Sequence, residues 1–434
     1  MWFNKIKLLN NPRLSFIAVR YSSAAVVALE SLLFAKLLGS ESYGNYALTV
    51  QIVGLLSIIG AGCGAGFLYA YYKDNPDSSS EEVEYTYLIG ATTQYITGAV
   101  LLFLIGIISK SYITLSCLLL FLQIPYLILL PILRVKNKFN FIPIGKASGS
   151  VGTIILSTIF LLQTKDKLWA SQLSLHTGLT LMILGNLMGY LIYYWVIFAG
   201  KHYQVNRKKI LLFLNTGKKV YSDYFARILS HSYVYTMGSV TFICFTYTDR
   251  LFLKHNYSGN ALSEYSLSWQ IAQSVLLLLN SLNIISGIRI GESISDSSFK
   301  IANVVKKQLG MTILAGLAVL IIAIVGSLVL RASWYKDYTN LVLITSIISL
   351  GYIVYGITGS LNMLIFLEHK MIHFLLASSF ALLSSVIGHI VAVRYQIFYI
   401  WPVMISSISL VLSQLYLLSV ALNISRKIIK SSTR

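Results

Sequence analysis

Runs of 20 or so apolar residues recur along the whole chain, and roughly 20 residues is the length an α-helix needs to cross a hydrocarbon core about 30 Å thick. Short polar connections separate them. The runs are apolar on every face, so barrel strands, which alternate in polarity over about 10 residues, do not account for them. Composition agrees, because 56% of the 434 residues are hydrophobic and only 11% are charged, against about 25% charged in soluble domains. The sequence predicts an all-α polytopic membrane protein with about 12 transmembrane helices. The expected spans are 14–38, 43–72, 85–109, 112–133, 142–163, 173–199, 223–247, 262–288, 304–330, 338–367, 371–393 and 398–423.

The N-terminus carries early lysines like a signal peptide, but Arg13 and Arg20 interrupt its apolar run. It reads as a first spanning helix that is kept. Cys63, Cys117 and Cys244 all fall inside spans, which argues against a structural disulfide. No Cys and His spacing suggests a metal site. No cofactor is expected.

The formal charge of +19 raises the question of a nucleic-acid partner, and the placement of the charges answers it. Lysines and arginines gather in alternate connections, at Lys136 and Lys138, at Arg207 to Lys209 with Lys218 and Lys219, at Lys306 and Lys307, and at Arg426 and Lys427. This is the positive-inside pattern, and it places both termini in the cytoplasm. The partners implied are membrane lipids, with no nucleic acid.

The longest hydrophilic connection, near 201–222, divides the chain into an expected N-terminal six-helix bundle (1–200), a cytoplasmic linker (201–222) and a C-terminal six-helix bundle (223–434). The linker stretch "KKILLFLNTGKKVY" reads either as an interfacial helix or as a solvated connection. Residues 29–52 set over 248–271 without gaps pair Leu32 with Leu251, Tyr46 with Tyr265, Leu48 with Leu267 and Gln51 with Gln270, and place Glu30 on Asp249. Both copies join an odd helix to the next even one. The implied repeat is therefore parallel, about an axis along the membrane normal, as in transporters built from two similar bundles.

"GAGCGAG" at 60–66 has the glycine spacing of a dinucleotide-binding turn. That turn needs a buried strand before it and an acid about 20 residues on, whereas these glycines lie inside an apolar span. Gly60, Gly62, Gly64 and Gly66 instead serve close helix packing or a hinge. Pro125 and Pro131 are similar candidates, each removing a backbone hydrogen bond.

A charge at mid-helix costs about 2.5 to 3.5 kcal/mol on insertion scales, so those present call for a reason. Arg20, Lys146 and Arg227 lie toward the cytoplasmic side of their spans. They either snorkel to the headgroups or line a cationic cavity for an anionic substrate, Arg offering a fork and Lys a point charge. Glu30 and Asp249 read as the only acids in or at the edge of a span. They are either a coupling site for H+ or Na+, or outer-surface partners of Lys36 and Arg250. His176, His231 and His389 are isolated in their spans and read as packing residues. Tyrosine, at 29 copies, clusters near span ends as aromatic belts do.

The stretch 34–66, with Gly39, Glu41, Tyr43 and Gly44, resembles the first outer loop of polysaccharide exporters and O-antigen flippases. "YTDRLFLKHNYSGNALSEYSLSWQIAQ" (247–273) is similar to a second signature, an Asp-Arg pair ending helix seven, here Asp249 and Arg250, followed by an aromatic after the loop. The second copy departs by carrying Lys254, His255 and Asn256 where a Leu-Gly pair is usual.

The resemblance implies membership of the multidrug, oligosaccharidyl-lipid and polysaccharide (MOP) exporter superfamily, and a MATE-like fold. It further implies a bacterial inner-membrane protein that flips a polyprenyl-diphosphate-linked oligosaccharide outward, alongside glycan polymerase machinery. Competing readings are a drug exporter, an exporter of another lipid, and a membrane-embedded polymerase or ligase. The short outer loops speak against the enzyme.

Overall fold

The computed structural model describes residues 12–57, 80–108, 113–136, 140–163, 174–200, 217–273, 298–359 and 370–432, with isolated positions between them. Gly60, Gly62 and Cys63 lie outside the described residues, as does most of the linker. Among the described residues regular structure is entirely helical, and eight helices are long and apolar enough to cross a membrane. This is a multi-pass membrane protein.

The first two expected spans form one helical stretch, α1 (Pro12–Ser57), broken only at Gly39, where φ is 71° and ψ is 176°. Side chains exclude that conformation, so the connection between the two helical segments is a single glycine corner. There follow α2 (Ser80–Ile108), α3 (Ile113–Val135), α4 (Phe141–Gln163) and α5 (Leu175–Ala199). A short α6 (Gly217–Asp223) then runs through a π-helical turn (Tyr224–Leu229) into α7 (Ser230–Asn256). Next come α8 (259–273), α9 (Ser298–Ser333), α10 (Leu341–Gly359), α11 (Ile372–Arg394) and α12 (Ile400–Ser432). The chain divides into two compact units, one of residues 46–240 and one of residues 1–45 with 241–434.

In the 46–240 unit, α4 and α5 meet backbone to backbone. Gly152 and Gly189 are so close to the facing helix that an added Cβ would lie 2.0 Å from the Gly185 carbonyl oxygen and 1.9 Å from that of Ser148, respectively. Gly185 and Gly189 are four apart, the small-xxx-small spacing that lets membrane helices approach without side chains between them. Asn186 lies in this seam, donating to Thr153 Oγ1 (3.2 Å) and the Met182 carbonyl (2.9 Å).

Pro125 and Pro131 both sit within α3, which is not interrupted. At the first, the Tyr194 hydroxyl of α5 accepts from Tyr126 N–H (3.1 Å) and donates to the Leu122 carbonyl (2.8 Å). Those two groups are the i and i−4 partners that would otherwise bond each other, so the tyrosine fills a turn that the proline opens. At the second, a Cβ on Gly64 would lie 2.9 Å from Pro131 Cγ, and one on Gly66 would lie 2.0 Å from the Ile228 carbonyl oxygen. Both described members of the glycine run therefore make close contacts in this unit.

In the other unit, Gly44 N–H donates to Ser263 Oγ at 2.8 Å. These residues are 219 apart, which is the offset of the proposed repeat. The approach requires glycine, since a Cβ there would lie 2.7 Å from Leu262 Cγ. Nearby, the Tyr335 hydroxyl donates to the Leu32 carbonyl at 2.7 Å. On α9, Leu314, Leu317, Ile321, Val325 and Leu328 are all at least half exposed, to within a percentage point or two. Their helical spacing makes one apolar stripe, the face expected toward lipid tails.

Candidate functional site

The three cations fall into different settings. Arg20 lies on the part of α1 that belongs to the unit of residues 1–45 and 241–434, called the C-terminal unit below, half-buried with its guanidinium 5.8 Å from the Phe16 ring centre. Lys146 and Arg227 belong to the other unit, and both are exposed. Lys146 follows Gly145, whose buried side is closed by Tyr126 and Tyr193, so the lysine sits on a different face of α4. Arg227 lies in the π-helical turn next to exposed Phe225 and Ala226. The turn is anchored by Tyr224, which packs on Gly90 and donates to Gln94 Oε1 at 2.9 Å. A π-helical turn shifts the register of the side chains after it, and such turns recur at functional sites.

The acids depart further from expectation. Asp249 is buried, not a surface partner of Arg250. Its Oδ2 accepts from the Tyr265 hydroxyl of α8 (2.6 Å) and its Oδ1 from the Ser406 hydroxyl of α12 (2.5 Å). His389 of α11, which looks isolated in sequence, brings Nε2 to 3.2 Å from the same Oδ1. The sequence could not pair Asp249 with a histidine 140 positions away. Glu30, its repeat mate, is half-buried. Lys36 reaches the Trp334 carbonyl at 3.5 Å.

Arg250, next to Asp249, is fully buried. Its guanidinium lies 4.1 Å from the Trp269 ring centre, with Tyr265 and Tyr247 at 5.6 and 5.9 Å. Its Nε and Nη2 have no hydrogen-bond partner. Aromatic faces attract a desolvated cation by about 2 kcal/mol, which offsets part of the cost of burying it. Trp269 Nε1 in turn donates to the Tyr352 hydroxyl of α10. The Asp-Arg signature thus sits at the centre of the C-terminal unit, touching α8, α11 and α12, with α10 one residue beyond.

A further buried acid escapes the sequence reading. Glu264 on α8 accepts from Asn340 N–H, immediately before α10, and from the Tyr399 hydroxyl, immediately before α12. Its carboxylate joins the first turns of two helices, where negative charge is favoured. Glu264 lies inside the expected span 262–288, so Glu30 and Asp249 are not the only acids in or at the edge of a span, and its partners beside α10 and α12 are not legible in the sequence. Among the described residues, no group of three or more His, Cys, Asp or Glu side chains could hold a metal.

No family model and no curated protein matches this sequence. Solved structures do. The lipid II flippase MurJ in an inward closed conformation superposes with a TM-score of 0.65 at 16% identity, covering 97% of this chain and 91% of that one. An inward-facing multidrug resistance MATE family transporter of the MOP superfamily gives 0.60 at 14%, covering 94% and 99%. A MOP superfamily transporter from Pyrococcus furiosus, described as having a binding pocket of reversed polarity, gives 0.62 at 13%, covering 98% and 97%. Identities this low speak to fold alone, and over nearly its whole length this chain has the fold of the MOP superfamily transporters.

Proposed function

We propose that this protein is a flippase that moves a polyprenyl-diphosphate-linked oligosaccharide, an O-antigen or capsule repeat unit, from the cytoplasmic to the outer leaflet of a bacterial inner membrane. The observation that carries this reading is the likeness over 97% of the chain to a flippase of a lipid-linked substrate, taken with the Gly39 to Gly44 and Asp249–Arg250 signatures. Both signatures occupy demanding positions, a glycine-only corner and the buried centre of a helical unit. In this reading Arg20, Lys146 and Arg227 bind the diphosphate. Transport proceeds by alternating access of two six-helix bundles, 1–200 and 223–434, about the cytoplasmic linker 201–222, and a bound H+ or Na+ biases the states. Glu30 and Asp249 are the candidate coupling acids. Gly60, Gly62, Gly64, Gly66, Pro125 and Pro131 are the candidate hinges, and glycan polymerase machinery consumes the product.

The test is deletion of the gene followed by analysis of lipid-linked glycans in each leaflet. Complete units accumulating on the cytoplasmic leaflet support the flippase. Normal flipping with missing polymer would point to an enzyme, and unchanged glycans to a drug or other lipid exporter. Arg20→Ala should abolish flipping while the protein remains inserted, and Arg20→Lys should recover part, because a point charge cannot form the fork. Wild-type flipping by Arg20→Ala would mean that Arg20 snorkels.

A further inference from the structure

His389 is buried on α11 with 1% exposure, and its Nδ1 lies 2.8 Å from the Ser385 carbonyl oxygen. A carbonyl can only accept, so Nδ1 carries a hydrogen and Nε2 is the nitrogen left to face Asp249. Nε2 lies 3.2 Å from Asp249 Oδ1, without the alignment of a hydrogen bond to any group. If the imidazole were neutral and the carboxylate ionised, two lone pairs would oppose each other across 3.2 Å, a gap too short to admit a water between them. Such an arrangement is unfavourable in a low-dielectric interior. The two serines offer no relief. Ser406 spends its hydroxyl hydrogen on Oδ1, and Ser385 Oγ, 2.8 Å from Ser406 Oγ, then donates to it.

We propose that Asp249 and His389 form a proton-binding site, in which one proton held between Oδ1 and Nε2 ties α7 to α11. With the proton the pair is neutral overall, as imidazolium and carboxylate or as imidazole and acid. Without it the pair carries one negative charge. The other titratable or charged groups facing the pair are Arg250 on α7, Tyr265 on α8 and Tyr352 on α10; α12 contributes the Ser406 hydroxyl. Arg250 is a fixed cation, so the cluster as a whole steps between one positive charge and none. Sodium fits this chemistry poorly. A hard cation requires several free oxygen ligands, whereas both oxygens of Asp249 already accept from hydroxyls and a nitrogen stands beside them. This deepens the ion-coupled part of the reading above and rests on it only for the use of the proton in transport.

Trp269 supplies a reporter that needs no transported substrate, because its ring carries the Arg250 guanidinium and its N–H reaches Tyr352. A variant of the full-length protein keeping Trp269 as its sole tryptophan, purified into lipid nanodiscs, is titrated with acid in sodium buffer and again in choline buffer. The expected result is a one-proton transition in Trp269 emission with the same midpoint in both cations, lost in His389→Gln and in Asp249→Asn. Should His389→Gln fail to fold, Asp249→Asn alone decides. No transition in the parent, or survival of the transition in a folded variant, overturns the proposal. A midpoint that moves with sodium overturns it in favour of a sodium site. Glycan flipping is measured separately on the same variants. A missing transition with intact flipping sinks the proton site alone, and an intact transition with no flipping sinks the flippase reading alone.

Discussion

At the scale of single residues, the buried polar groups of this protein are bridges between helices, and removing one partner strands the other. Glu264→Ala would leave the Asn340 N–H and the Tyr399 hydroxyl without their acceptor, at a cost of about 1 to 3 kcal/mol for each buried group left unmade. Thermal unfolding in detergent should register a clear loss, and Glu264→Gln, which keeps an acceptor oxygen, should lose less. Equal losses in the two variants would mean that packing, not the hydrogen bonds, holds the site. Tyr194→Phe makes the complementary case, since it removes only the hydroxyl that occupies the opened turn at Pro125. A loss of about 1 to 3 kcal/mol is expected there too, and it should shrink when Pro125 is replaced by Ala, which lets the backbone rejoin itself. Sequence reading finds such residues only when they stand out against apolar neighbours. Asp249 and Arg250 do so, but Glu264 sits among serines, and His389 acquires its meaning only from an aspartate on another helix.

At the scale of helices, the apolar runs carry the information and the small residues refine it. Each described helix except α6, which lies in the expected linker, falls on an expected span, because the length and apolar character of a membrane helix are imposed by the bilayer and not by its neighbours. What the runs do not convey is how helices meet. The α4 and α5 seam depends on glycines at matching heights on two segments, and only the superposed backbones reveal that Gly152 faces Gly185. Gly185→Leu should force the helices apart, because even a Cβ there would lie 2.3 Å from Thr153 Cα. The expected outcome is a strong drop in thermal stability or in inserted protein. Gly326→Leu on α9, where an added Cβ meets nothing within 4 Å, should be tolerated. Similar losses from the two substitutions would show that glycine matters for the intrinsic behaviour of the helices and not for the seam.

At the scale of the whole chain, the packing of the C-terminal unit and the charge pattern make separable statements about orientation. Gly44 bonds Ser263, so the corner at Gly39 and the turn before α8 lie at one end of that unit. The Tyr257 hydroxyl donates to the Ile397 carbonyl just before α12, which puts the start of α12 at the same end. α12 then runs 33 residues to Ser432, about 50 Å at 1.5 Å per residue, enough to carry Ser432 across a bilayer. Single cysteines at Ser40, Asn260 and Ser432, with Cys63, Cys117 and Cys244 replaced by serine, read both statements at once. Packing requires Ser40 and Asn260 to label from one side and Ser432 from the other. The positive-inside distribution of lysine and arginine requires the first two to face outward, so an impermeant thiol reagent should reach them in intact cells and Ser432 only after lysis. Labelling of Ser432 alone in intact cells would reverse the orientation and leave the fold standing, whereas a split between Ser40 and Asn260 would contradict the contact at Gly44 itself.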